Sequence, residues 1–169
     1  MEEAYPEEQL LSDDLAQESI LPTTQKAQGL VSVLLGIQED ATVSSRTWNL
    51  QPNPFVFYGA NQTPFGQIEN AKVTIMTYQS DGLLKGQGVF TYATRSLGWS
   101  IRDKTTKVSL LDGNKQVLHT AAIVSYVQVT CLDDGTGPIT VRFDFPANLF
   151  DKVEHVNVRY GRATWDKCS

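Results

Sequence analysis

In the stretch ITVRFDF, Ile139, Val141, Phe143 and Phe145 are apolar, and Thr140, Arg142 and Asp144 between them are polar. A period of two marks a strand with one face in a core and the other in water, because successive side chains leave a strand on opposite sides. LGWSIRD repeats the pattern, with Leu97, Trp99 and Ile101 expected inside and Gly98, Ser100 and Arg102 outside. VEHVNVRYG adds Val156, Val158 and Tyr160 to the inward set. KVTIMTY, GVFTYAT, TKVSLL and AAIVSYVQVTC are equally rich in β-branched and aromatic residues, which fit a pleated, half-buried surface.

Turn chemistry falls between these runs. Asp112-Gly113-Asn114 separates two apolar stretches, and SDGLL and LDDGTGPI punctuate others, because Gly, Asn and Asp accept the backbone angles of tight hairpins. Turn signals about every ten residues, no alternation with long helices and no internal repeat predict an all-β chain. The expected form is a single antiparallel β-sandwich or jelly-roll-like domain over residues 27–169.

The first part of that range is less regular. AQGLVSVLLGIQ fits a buried strand or a short helix, with Gly29, Gly36 and the valines favouring strand. VSSRTWNL reads as a strand, and prolines bracket the aromatic run FVFY. Asn61-Gln62-Thr63 is formally a glycosylation sequon. It carries little weight with Pro64 directly after it and with glutamates where a signal peptide needs a basic stretch.

Residues 1–26 are different in kind. They hold seven carboxylates and one lysine, leaving twelve acidic and thirteen basic residues to the other 143. The formal charge of −5 therefore comes from this opening arm. Pro6, Glu7 and Glu8 suit a helix start, Leu11 and Leu15 would share a face, and Pro22 would stop the helix near Leu21. Such a helix is marginal alone in water and needs a surface to lie on. Leu11 and Leu15 are thus candidate docking residues, with Arg159 and Arg162 as basic partners for the carboxylates.

Reactive clusters are hard to find. His119 and His155 have no histidine or cysteine at ligand spacing and read as solvated surface residues. There is no nucleophile elbow and no phosphate-binding glycine loop. Glu69, Asp144 and Glu154 are the strand-borne carboxylates that a glycosidase pair would require. The simpler reading of Asp144 is an outward, wet-face residue. Asp133 and Asp134 before Gly135 offer too few oxygens for calcium and read as a turn. Cys131 alternates with Val127 and Val129 and reads as a small buried hydrophobe, a bridge to Cys168 being the lesser alternative. No cofactor or metal is expected.

Arg95, Trp99 and Arg102, and the RYGRATWDK segment, interleave rings with cations. A pI near 5.0 and a nearly neutral body lack the footprint of a nucleic-acid binder. No apolar run approaches the ~18 residues of a membrane span. Three functions remain. The first is a non-enzymatic structural or assembly subunit, a homo-oligomer or part of a larger assembly that docks through the arm, as virion, phage-particle or filament components do by architectural analogy. The second is a carbohydrate or cell-surface ligand-binding module using Trp48, Phe57, Tyr58 and Trp165 as a stacking platform. The third is a small glycan-active enzyme.

Overall fold

The computed structural model describes residues 16–18, 27–30, 42–103, 105–123, 127–132, 138–161 and 163–169. In chain order the strands are β1 (Ala16–Glu18), β2 (Ala27–Leu30), β3 (Thr42–Asn49), β4 (Phe55–Tyr58), β5 (Pro64–Ser80), β6 (Leu83–Ser96) and β7 (Trp99–Asp103). They continue as β8 (Lys107–Leu111), β9 (Val117–Ala122), β10 (Val127–Val129), β11 (Ile139–Phe145), β12 (His155–Arg159) and β13 (Ala163–Lys167). Every pairing is antiparallel, so the all-β expectation holds.

Among the described residues, three sheets result. One has the order β1-β12-β8-β9, a second β10-β7-β13, and the largest β11-β6-β5-β3-β2, with β4 also paired to β5. Apolar side chains from all three meet in one core that includes Trp48, Phe90, Ile101, Val108, Val141, Val158 and Trp165.

The runs KVTIMTY and GVFTYAT become parts of a far longer hairpin, β5 and β6, closed at Asp81 and Gly82 with φ of 54° and 76°. Positive φ at both central residues gives the turn the twist of the flanking strands. A register shift between Glu69 and Lys72 divides β5, so its first part pairs with β4 and its second with β3. Gly86 and Gly88 stand opposite Phe145 and Phe143. A Cβ at Gly88 would lie 2.1 Å from the Phe143 ring, so glycine lets the aromatic ring lie against the strand.

The expected faces hold for most positions. Trp99, Ile101, Val141, Phe143, Phe145, Val156, Val158 and Tyr160 are buried, and Arg102, Arg142 and Asp144 are exposed. Leu97 and Ile139 are corrections, each 37% exposed. Leu97 lies in the bend before β7, which starts only at Trp99, and Ile139 opens an edge strand. AAIVSYVQVTC is not one strand either: it supplies β9 to one sheet and β10 to another. In the Asp112 turn the positive φ falls on Lys115, while Asp112 Oδ1 accepts the amides of Asn114 and Gln116 at 2.9 Å.

The cysteine reading is overturned. Cys131 and Cys168 are bridged, and Cys131 is exposed. Strand β10 ends at Val129, so Cys131 leaves the inward parity and meets the chain just after β13. The bridge ties the two outer strands of the three-stranded sheet around β7.

The arm helix is overturned where the arm is described. Ala16–Glu18 is a strand, with Ala16 opposite Arg159, Gln17 opposite Val158 and Glu18 opposite Asn157. An isolated helix of that length gains little in water, whereas the edge of β12 satisfies the arm's backbone groups in a ladder. Within 27–37, Ala27–Leu30 is a strand, as the glycines suggested, and the remainder lies outside the described residues.

Candidate functional site

The most fully built polar site lies where the arm meets the body. Gln17 is 0% exposed, and its Nε2 donates to the Pro52 carbonyl at 2.8 Å. Its Oε1 accepts from the Tyr160 hydroxyl. Tyr160 is itself fully buried, 5.0 Å from the Phe55 ring and 5.5 Å from Phe57. A buried amide with both ends bonded loses little on leaving water, whereas one without partners would cost a few kcal/mol. The site therefore discriminates for glutamine.

Beneath it, Asp103 at the end of β7 is 1% exposed. Its Oδ1 accepts from the Thr105 amide at 2.8 Å and the Thr105 hydroxyl at 3.2 Å, and Oδ2 from the Thr106 hydroxyl at 2.6 Å. Thr105 Oγ1 also lies 3.3 Å from the Tyr160 carbonyl, joining the loop to the end of β12. Burial pushes the Asp103 carboxyl up from 3.8 to about 6, although the three hydrogen bonds pull it down. Burial, followed by the neighbouring Tyr92 and Asp103, holds the Tyr160 phenol well above its ordinary value.

This shift has a sign. The fold favours protonated Asp103, so that contribution to stability is complete below about pH 4 and is lost as pH rises through 6. At pH 7 the loss is about 3 kcal/mol. Asp103→Asn keeps an acceptor for Thr105 and removes the charge. The variant should melt higher than the parent at pH 7.5 and nearly equal to it at pH 4. Melts from pH 4 to 8 check this, and a parent that gains on the variant as pH rises would contradict it.

A second polar surface is the outer face of β10-β7-β13. Arg102 stands between Gln128 and Thr164, and Ser100 lies opposite Asp166. With Ile101 and Trp165 at its floor, this face forms a shallow trough with a cavity volume of about 120 Å³. Pockets that enclose a small ligand run to roughly 300–1,000 Å³. The trough is smaller than a cleft that encloses a drug-sized ligand. Two segments flagged separately for their rings and cations thus become neighbours, since β13 lies against β7.

The stacking platform is overturned. Trp48, Phe57 and Trp165 are buried, and Tyr58 is half-buried. The Trp48 indole donates to the Glu154 carbonyl at 3.1 Å, and Trp165 packs beside Phe65. Among the docking residues, Arg159 is exposed on β12, while Leu11, Leu15 and Arg162 lie outside the described residues, as do Asp133 and Asp134.

Each of the carboxylates Glu69, Asp144 and Glu154 has its own polar partner. Glu69 pairs with Arg95 at 3.1 Å, Glu154 with Arg46 at 3.6 Å, and Asp144 accepts from Gln87 at 3.3 Å. Glu69 registers with Ala93 and Asp144 with Gln87, six positions apart along β6. That separation is about 20 Å, too far for a glycosidase pair at roughly 5–9.5 Å. His119 is half-buried, with Nε2 3.3 Å from the Asp144 carbonyl oxygen, and His155 is half-buried too, so neither is the fully solvated residue expected.

Three residues of this architecture were missed. Asp103 and Arg46 each occupy the apolar parity of their strands, a charge where the pattern demands a hydrophobe, and that was a readable signal. Arg46 donates to the Phe150 carbonyl at 2.8 Å and lies 4.9 Å from the Trp48 ring, fixing the turn Ala147–Lys152 to the large sheet. Gln17 had no such signal, being one polar residue in a polar arm.

Among the described residues, no group of three or more His, Cys, Asp or Glu could hold a metal ion, and no helix is long and apolar enough to cross a membrane. Comparison with protein-family models, curated proteins and solved structures found no match to this chain.

Proposed function

We propose that this chain is a non-enzymatic structural or assembly subunit that joins neighbouring copies through its N-terminal arm. A β-sandwich or jelly-roll-like packing of its sheets belongs to the same reading. The observation that carries it is the seat at the edge of β12, where an acidic arm adds a strand and a buried glutamine fixes its register. Strand addition is a general mode by which one chain engages another. The Cys131–Cys168 bridge supports an oxidising compartment, such as a cell exterior, a periplasm or a particle surface.

Light scattering of the full chain tests this reading. Its mass should rise with concentration, and Leu11→Ser with Leu15→Ser should lower the mass while leaving the melting temperature within about 2 °C, as expected for surface changes. High salt should weaken assembly modestly by screening the arm from Arg159 and Arg162. A monomer at every concentration would overturn the reading.

A second reading, a ligand-binding module, rests on the trough around Arg102. Arg102→Ala should reduce retention on an immobilised acidic glycan without altering the melt. Equal retention of parent and variant would remove its support.

A further inference from the structure

We propose that the seat on β12 accepts residues 16–18 of a second copy of this chain, so that two copies exchange β1 reciprocally. This rests on the assembly reading above and names its contact. The seat is specific, because three ladder residues set the register and the Gln17 amide is bonded at both ends, to Tyr160 and Pro52. A second copy carries the same segment, so exchange re-forms every one of these bonds without new complementarity. A three-residue strand is held by few ladder bonds, so its release is a local opening that does not require the sheets to unfold. Eight residues separate Glu18 from Ala27, a span of up to about 30 Å when extended.

Charge favours this occupant over a neutral peptide. Ala16 registers with Arg159, which registers in turn with Lys107, and both cations are exposed. Asp13 and Asp14 lie three and two positions before Ala16 in the sequence, within an arm of seven carboxylates. Reciprocal exchange between two copies closes on itself, so it ends in a symmetric dimer without leaving a free seat.

The test uses two full-length chains, one tagged, with the native Cys131–Cys168 pair retained. One carries Ala16→Cys and the other Arg159→Cys, so a new disulfide between these positions can form only across chains. Co-expression followed by oxidation should give a covalent pair containing both chains on a non-reducing gel. Adding Gln17→Ala to the first chain should lower its yield roughly tenfold, because the seat loses both amide bonds. A single chain carrying both substitutions is the control for geometry. If it locks as a monomer while the mixed chains stay unlinked, the arm docks only on its own body and the exchange is refuted. If it does not lock at all, the seat itself is wrong. Light scattering separates the two ideas: an oligomer without cross-chain linkage refutes exchange and leaves assembly standing, whereas a monomer ends both.

Discussion

Val141→Asp should abolish soluble expression, whereas Arg142→Ala beside it should change the melting temperature by no more than a few degrees. Val141 is 7% exposed and lies opposite Phe90 within the common core. An aspartate there would enter an apolar cluster, and burying a lone carboxylate costs several kcal/mol. Total stability for a domain of this size is about 5–15 kcal/mol, so one such substitution consumes most of it. Arg142 is exposed on the opposite face of the same strand, where truncation removes little apolar contact. Soluble yield and thermal melts of the two variants decide the matter. Equal melts would show that the two faces of β11 had been exchanged.

Replacing both cysteines by serine should lower stability by about 4 kcal/mol, the loop-entropy value for a closed loop of this size. The bridge joins positions 37 apart in sequence. The corresponding fall in melting temperature is about 10 °C. The loss should appear first in the β10-β7-β13 sheet, because β10 has three residues and its far end is tied to β13 through the bridge. Hydrogen exchange would show amides of Val127–Val129 opening well before those of β5 and β6. The parent in reductant should behave like the double variant. Unchanged melts in both would mean that the pairing of β10 with β7 is held by the core alone.

Much of the framework could be read directly, and the reasons are local. The inward residues of β7, β11 and β12 follow from alternation, since a side chain's face is set by parity once a strand exists. The turn at Asp81-Gly82 follows from residues that accept positive φ. Parity failed at strand ends. Leu97 and Ile139 carry the right residue type, but they are only partly covered where the ladder starts. The platform residues failed for a related reason: a ring beside prolines or cations looks exposed in sequence, yet Trp48 and Phe57 are better spent in the core.

The candidate site was less legible. Asp103 could have been suspected from its place on an apolar parity, and Asp-Lys-Thr-Thr supplies hydroxyls that can cap such a carboxylate. Nothing in the arm distinguishes Gln17 from its neighbours. Its partners, Pro52 and Tyr160, are 35 and 143 residues away.

Alternation, β-branched composition and turn residues determined by themselves that this chain is antiparallel and all-β, because those properties act over a few neighbouring residues. Charge counting likewise determined that the opening segment differs from the body. Only the tertiary structure decided that residues 16–18 are a strand, that one apolar run serves two sheets, and that Cys131 meets Cys168. Each of those outcomes depends on which distant edge, pocket or thiol the folded chain brings within bonding distance, and local propensity carries no information about that.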